Sequence, residues 1–148
     1  MYDRILVPVD GSGPSSAGVR EAINIAQLSK GTIRLVHVVN EIQAIQGGYY
    51  SAELRDSLLV QANNLVKDAE AEVASHGLKA EALVIDALGG PTGEIIVDHA
   101  NSWPAQLIVI GTHGRRGLAR LVLGSDAEYV VRTANVPVLL VRGTDARS

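Results

Sequence analysis

The sequence predicts one α/β domain: an open, twisted, five-stranded parallel sheet in the order 3-2-1-4-5, with helices on both faces. Three observations point there. Strand-like and helix-like segments alternate along the whole chain, the pattern of strands joined by crossover helices. The apolar residues, 47% of the chain, include no Phe, one Trp and four Tyr. Such an aliphatic composition suits strands buried on both faces. The length, 148 residues, fits one domain. Residues 1–143 make up the domain and residues 144–148 a short tail.

The elements follow in order. Ile5-Leu6-Val7-Pro8-Val9 reads as a buried strand. Asp10 to Gly13 is a turn, and Pro14 suits the first position of a helix. Val19, Ala22, Ile23 and Ala26 recur at helical spacing up to Gly31, a helix stop. Thr32 to Val39 is the second strand and 41–50 a loop that contains Gly47-Gly48 and the pair Tyr49-Tyr50. A long helix follows, with an apolar stripe through Leu58, Leu59, Ala62, Leu65, Val66, Ala69 and Val73. Lys79 to Ile85 is the third strand, Gly93 to Ala100 a short helix, and Gln106 to Ile110 the fourth strand. After the segment 111–124 come a last helix, Ser125 to Thr133, and a fifth strand, Pro137 to Arg142.

Composition narrows the function. The net charge is −3, with no basic stripe and no interleaved aromatics, so a nucleic-acid surface is not expected. There is no cysteine, which excludes disulfides and thiolate metal sites. The N-terminus runs straight into a strand pattern, and no apolar run reaches membrane length. The expectation is a cytoplasmic protein with no membrane partner.

In the order 3-2-1-4-5 the chain reverses direction between strands 1 and 4. Ligands of open α/β sheets bind at that switch point, beyond the carboxyl ends of the strands. The loops that start there begin at Asp10 and Gly111. The second is Gly111-Thr-His-Gly114-Arg-Arg-Gly117-Leu-Ala-Arg-Leu-Val-Leu-Gly124-Ser125. It lacks the Lys-Ser/Thr pair of a P-loop and the spacing of the dinucleotide fingerprint. Glycines nonetheless let a backbone approach an anion and aim N–H groups at it. Ser125-Asp-Ala-Glu128 has the capping-box pattern, so Ser125 starts a helix whose N-terminus favours phosphate. Spacing alone leaves a tight loop with a capping Ser as an equal alternative.

At this point the whole chain resembles the universal stress protein family. The residues that carry the resemblance are Ile5-Leu-Val-Pro-Val-Asp10-Gly-Ser12, Leu35-Val-His37-Val38, Gly111-Thr-His-Gly-Arg-Arg-Gly117 and Val136-Pro-Val-Leu-Leu-Val141. Gly111-x-x-Gly114, nine residues, then Gly124-Ser125 is similar to the family's nucleotide-binding motif. The resemblance implies a Rossmann-like, adenine nucleotide alpha hydrolase-like fold that binds ATP, or ADP or AMP, with Mg²⁺. It implies that Val38 meets adenine through its backbone and that Pro8, Val9 and Asp10 line base and ribose. Gly111, Gly114, Gly124 and Ser125 would hold ribose and phosphates, with His113 and Arg115 close by. It also implies a homodimer paired along Val138, Leu139, Leu140 and Val141, an apolar edge that invites pairing on physical grounds as well.

Two positions depart from the family's pattern. Asp126 stands where an apolar residue is common. Its carboxylate would repel a γ-phosphate, hold Mg²⁺ through water, or point to solvent as a first-turn Asp, and the sequence favours the last. Gly90 stands where Asp is common, which predicts a looser loop.

His37, in a strand, reads as a hydrogen-bonded, half-buried residue. No histidine pair shows metal-ligand spacing, and catalysis by His113 has no support. Tyr49 and Tyr50 close over the base or anchor their loop. Trp103 packs between a helix end and strand 4. Asp86 lacks the companion carboxylates and Lys of a receiver domain. The expected function is a nucleotide-binding stress-response or regulatory module with an unidentified protein partner and slow or no hydrolysis. An ATP hydrolase or a phosphate- or adenylate-transferring enzyme, and a nucleotide-free dimeric scaffold, are the alternatives.

Overall fold

The computed structural model describes residues 1–40, 52–87, 90–113 and 123–143. The strands are β1 (Arg4–Pro8), β2 (Thr32–Val39), β3 (Ala80–Asp86), β4 (Leu107–His113) and β5 (Val138–Gly143). The helices are α1 (Gly13–Ser29), α2 (Ala52–Ala74), α3 (Thr92–Ser102) and α4 (Ser125–Thr133). All strand pairs are parallel, and the sheet order is β3-β2-β1-β4-β5, as the alternation predicts.

Strand alternation sends apolar side chains to both faces. Ile5 and Val7 of β1, Ile33 and Leu35 of β2, and Leu107 and Val109 of β4 pack on one face with Val19, Ala22 and Ile23 of α1 and Val66 and Val73 of α2. Leu6, Val36, Ile108 and Ile110 pack on the other with Ile96, Val97 and Ala100 of α3 and Ala127 and Val130 of α4. This two-sided burial is why the strands read as continuous aliphatic runs. The stripe predicted on α2 faces this core, with Leu65 and Ala69 packed against it and Ala62, Val66 and Val73 buried.

Two boundaries differ from expectation and matter for the site. Strand β4 continues through Gly111 and Thr112 to His113, because β5 pairs with it that far, Gly111 beside Val141 and Thr112 beside Arg142. The glycine-rich segment therefore begins as strand. At α4, Gly124 in an extended conformation (φ −70°, ψ 164°) is the N-cap, and among the described residues no side chain makes a cap hydrogen bond there. Ser125 is the first helical residue, one position too far along to close a capping box. The Glu128 carboxylate pairs instead with Arg132, one turn on.

Candidate functional site

A cavity of about 460 Å³ opens at the carboxyl ends of β1, β2 and β4, at the switch point. That volume lies within the range of small-molecule sites. Pro8, Val9, Asp10, Val38, Gly111, Gly124, Ser125 and Asp126 all line it, as the sequence predicts. Gly114 and Arg115 lie outside the described residues, as do Tyr49 and Tyr50; for His113 only the backbone is described. Val36, Ile96 and Ile110 supply apolar wall.

The first wall is the β1–α1 turn. The backbone N–H of Ser12 donates to Asp10 Oδ1 at 2.9 Å, and that of Asp10 donates to Ser15 Oγ at 3.0 Å. Ser12 Oγ in turn accepts from the Ser15 N–H at 3.2 Å, which caps α1. His37 lies on the neighbouring strand, half-buried as expected. Its Nδ1 is 2.8 Å from the Val9 carbonyl, so that nitrogen carries the proton and donates. The ring thereby ties β1 to β2 at the cavity wall.

The second wall is where α3 and α4 begin. The Gly93 N–H, in the first turn of α3, donates to Asp126 Oδ1 at 3.2 Å. Asp126 is exposed, as expected of a first-turn Asp, and its carboxylate also joins two helices at the cavity wall. Three helix starts thus line the cavity, through Ser12 and Ser15 of α1, Thr92 of α3 and Gly124 to Ala127 of α4. Each helix N-terminus leaves backbone N–H groups without helical partners. Ser12 serves one such group at α1, and Asp126 serves one at α3. Among the described residues, α4 has no side-chain acceptor at its start. That end is the natural place for an anion, by exposed N–H groups and by helix dipole.

Gly111 has a different reason to be glycine than the sequence suggests. A Cβ there would meet the Pro14 carbonyl oxygen at 1.8 Å. It is the close packing of α1 on β4 that demands glycine, while its backbone still lines the cavity. Among the described residues, a Cβ on Gly124 would meet nothing within 4 Å.

Sequence reasoning passed over Thr112, Ser12, Ser15 and Thr92, all of which line the cavity. Thr112 had a readable signal. Ile108 and Ile110 face α3 and α4, so strand alternation sends residue 112 to the same face, where a polar residue is out of place.

The remaining expectations resolve locally. The Gly90 N–H donates to the Ala87 carbonyl at 2.9 Å and its carbonyl accepts from Asn40 at 3.3 Å, while residues 88–89 of the same loop lie outside the described residues. Asp86 pairs with Arg55 at 3.5 Å. Trp103, at the end of α3, packs against the cluster that holds Ile108 and Ile110 of β4, and Arg34 of β2 stacks 4.4 Å from its ring centre. No group of three His, Asp or Glu side chains that could hold a metal ion occurs among the described residues. No helix among them is long and apolar enough to cross a membrane.

The family model described as the universal stress protein family matches residues 1–142. The chain belongs to that family. The universal stress protein MJ0531 of Methanocaldococcus jannaschii is 34% identical over 145 residues, covering 96% of this chain and 83% of its own. The solved structure of MJ0577, from the same organism, superposes with a TM-score of 0.80 at 28% identity over 99% of both chains. The universal stress protein of Archaeoglobus fulgidus in complex with dAMP superposes with a TM-score of 0.71 at 26% identity, covering 95% of this chain and 98% of that one. The universal stress protein fold is thus the α/β arrangement that the alternation of elements predicts.

Proposed function

We propose that this universal stress protein binds an adenine nucleotide in the switch-point cavity and acts as a regulatory module with slow or no hydrolysis. The observation that carries the reading is the start of α4. It alone, of the three helix starts on the cavity, lacks a side-chain acceptor among the described residues. Phosphate takes that place, at Gly124, Ser125 and the backbone of Gly111, with Gly114, His113 and Arg115 following in the same segment. Adenine lies against Val38 and the ribose against Pro8, Val9 and Asp10. The related protein in complex with dAMP supports an adenine ligand.

ATP, ADP and AMP share this reading and differ in the phosphates that reach Asp126. The donor set suits Mg²⁺ only in part: of the two carboxylates in the first turn of α4, Asp126 lines the cavity, and Gly93 already engages one of its oxygens. A Mg²⁺ ion would therefore be held mainly by phosphates and water, with Asp126 reaching it through water. The chain pairs as a homodimer along Val138 to Val141 of the edge strand β5 and works in the cytoplasm.

Thermal unfolding with AMP, ADP and ATP, with and without Mg²⁺, tests the reading beside a product assay. A ligand at 100 times its Kd adds about 2.7 kcal/mol, enough to raise Tm by several degrees. No shift with any of the three refutes nucleotide binding. Product at ordinary turnover makes the protein an enzyme instead.

A further inference from the structure

Thr112 is 4% exposed, and its hydroxyl has no hydrogen-bond partner among the described residues. A buried hydroxyl left unpaired is costly, and native structures seldom keep one without a use. The shape of the position does not require a hydroxyl. Valine has the same branching and size, favours strands equally well, and would sit beside Ile110 and Ala127 without an unsatisfied atom. The residue also lines the cavity, together with Gly124, Ser125 and Asp126.

We propose that the Thr112 hydroxyl donates a hydrogen bond to a phosphate oxygen of the bound nucleotide. This rests on the nucleotide reading above and adds to it a residue that recognises the anion itself. A threonine hydroxyl rotates freely and offers one donor, and a donor aimed at a phosphate makes a charge-assisted bond. Its position on β4 sets it on the face that α4 covers, where the uncapped helix start presents N–H groups. The ribose side, at Asp10, lies in the turn after β1. Thr112 thus completes a set of donors around one anion, and the ligand supplies the partner that the folded chain withholds.

The test compares wild type, Thr112→Val and Thr112→Ser, titrated with AMP and with adenosine and melted without ligand. Thr112→Val is expected to weaken AMP by about 10-fold or more, the cost of a lost charge-assisted bond. It should leave adenosine within about 2-fold, since adenosine has no phosphate, and Thr112→Ser should stay within about 3-fold of wild type for AMP. The unliganded Tm of Thr112→Val should equal or exceed that of wild type, because exchange of an unpaired buried hydroxyl for a methyl is neutral or stabilising. Unchanged AMP affinity in Thr112→Val overturns the proposal, and so does an equal loss for adenosine. A lowered unliganded Tm overturns it too, because the hydroxyl would then have a partner within the chain. If wild type binds neither AMP nor adenosine, nucleotide binding itself fails and this proposal goes with it.

Discussion

The carboxylate of Asp126 accepts the backbone N–H of Gly93 at 3.2 Å, and this joins the first turns of α3 and α4. The two helices are close at this point. A Cβ on Gly93 would meet the Cβ of Tyr129 at 3.0 Å and the Asp126 carbonyl oxygen at 3.1 Å. The carboxylate is exposed and makes this helix-to-helix bond at the same time. It places a negative charge in the wall that also holds the uncapped start of α4.

On the proposed nucleotide reading, that charge sets how many phosphates the cavity accepts. A monophosphate at the α4 start meets the helix dipole, while a longer phosphate chain extends its charge toward Asp126. Without divalent cation, wild type should bind AMP at least as well as ATP. Asp126→Asn keeps an acceptor for the Gly93 N–H and removes the charge. It should tighten ATP by about 5-fold in EDTA, the effect of one like charge a few ångströms away at a partly screened site. AMP should change much less. Calorimetric titration of both nucleotides in both proteins checks this; an ATP affinity that ignores the substitution means that the phosphates point away from Asp126.

Gly111 and Gly124 belong to one sequence motif, yet substitutions there should fail in opposite ways. Gly111→Ala puts a Cβ into the Pro14 carbonyl. Backbone cannot yield as a side-chain tip does, so the expected loss is about 3 kcal/mol or more, read in urea unfolding. Gly124→Leu meets nothing within 4 Å of its Cβ among the described residues, and its φ of −70° suits any residue. It should leave stability within about 0.5 kcal/mol. Its side chain would stand at the cavity edge and reduce the AMP-induced rise in Tm by more than half. A Gly124→Leu protein that binds AMP like wild type would displace the phosphate from the α4 start.

The sequence revealed the sheet order and the place of the site because both rest on long-range regularities. Alternating strands and helices leave few right-handed topologies, and the switch point follows from the order. The details of the second wall were not legible for a local reason. Ser125 to Glu128 satisfies a capping pattern, but the pattern does not say whether Ser125 or Gly124 takes the N-cap position, and the extended conformation falls on Gly124. The partner of Asp126 is Gly93, 33 residues earlier, and no local motif encodes such a bond. The packing demand on Gly111 is invisible in the sequence because the approach of Pro14 exists only once α1 lies on β4.

Strand β5 is the outer strand on its side of the sheet. Its side chains are already used within the chain: Val138 and Leu140 pack on the α3 and α4 side, and Leu139 and Val141 on the α1 side. Pairing with a second copy must then run mainly through the free backbone edge and the half-buried margins of these residues. Light scattering at micromolar concentration should read twice the chain mass. A reading at the chain mass removes the homodimer.

His99, in the last turn of α3, has Nε2 at 3.2 Å from Arg34 Nη1. Arg34 is anchored by the Glu81 carboxylate on β3 and by the ring of Trp103. Burial, and then the Arg34 charge, hold the His99 pKa below its ordinary 6.5, so the neutral ring accepts from the guanidinium. The sign of the linkage follows from that direction. Above about pH 6.5 the ring is neutral in both folded and unfolded chains, and its contribution to stability is fully present. As pH falls through 6.5, the unfolded chain takes up the proton first, and the contribution is lost on the way to the lower folded pKa. Carboxylates add their own acid instability, so the informative quantity is the difference between wild type and His99→Gln, which keeps an acceptor for Arg34 and cannot titrate. Between pH 7.5 and 5 the Tm of wild type should fall more steeply than that of His99→Gln. Parallel curves would mean that His99 takes up its proton equally well in both states.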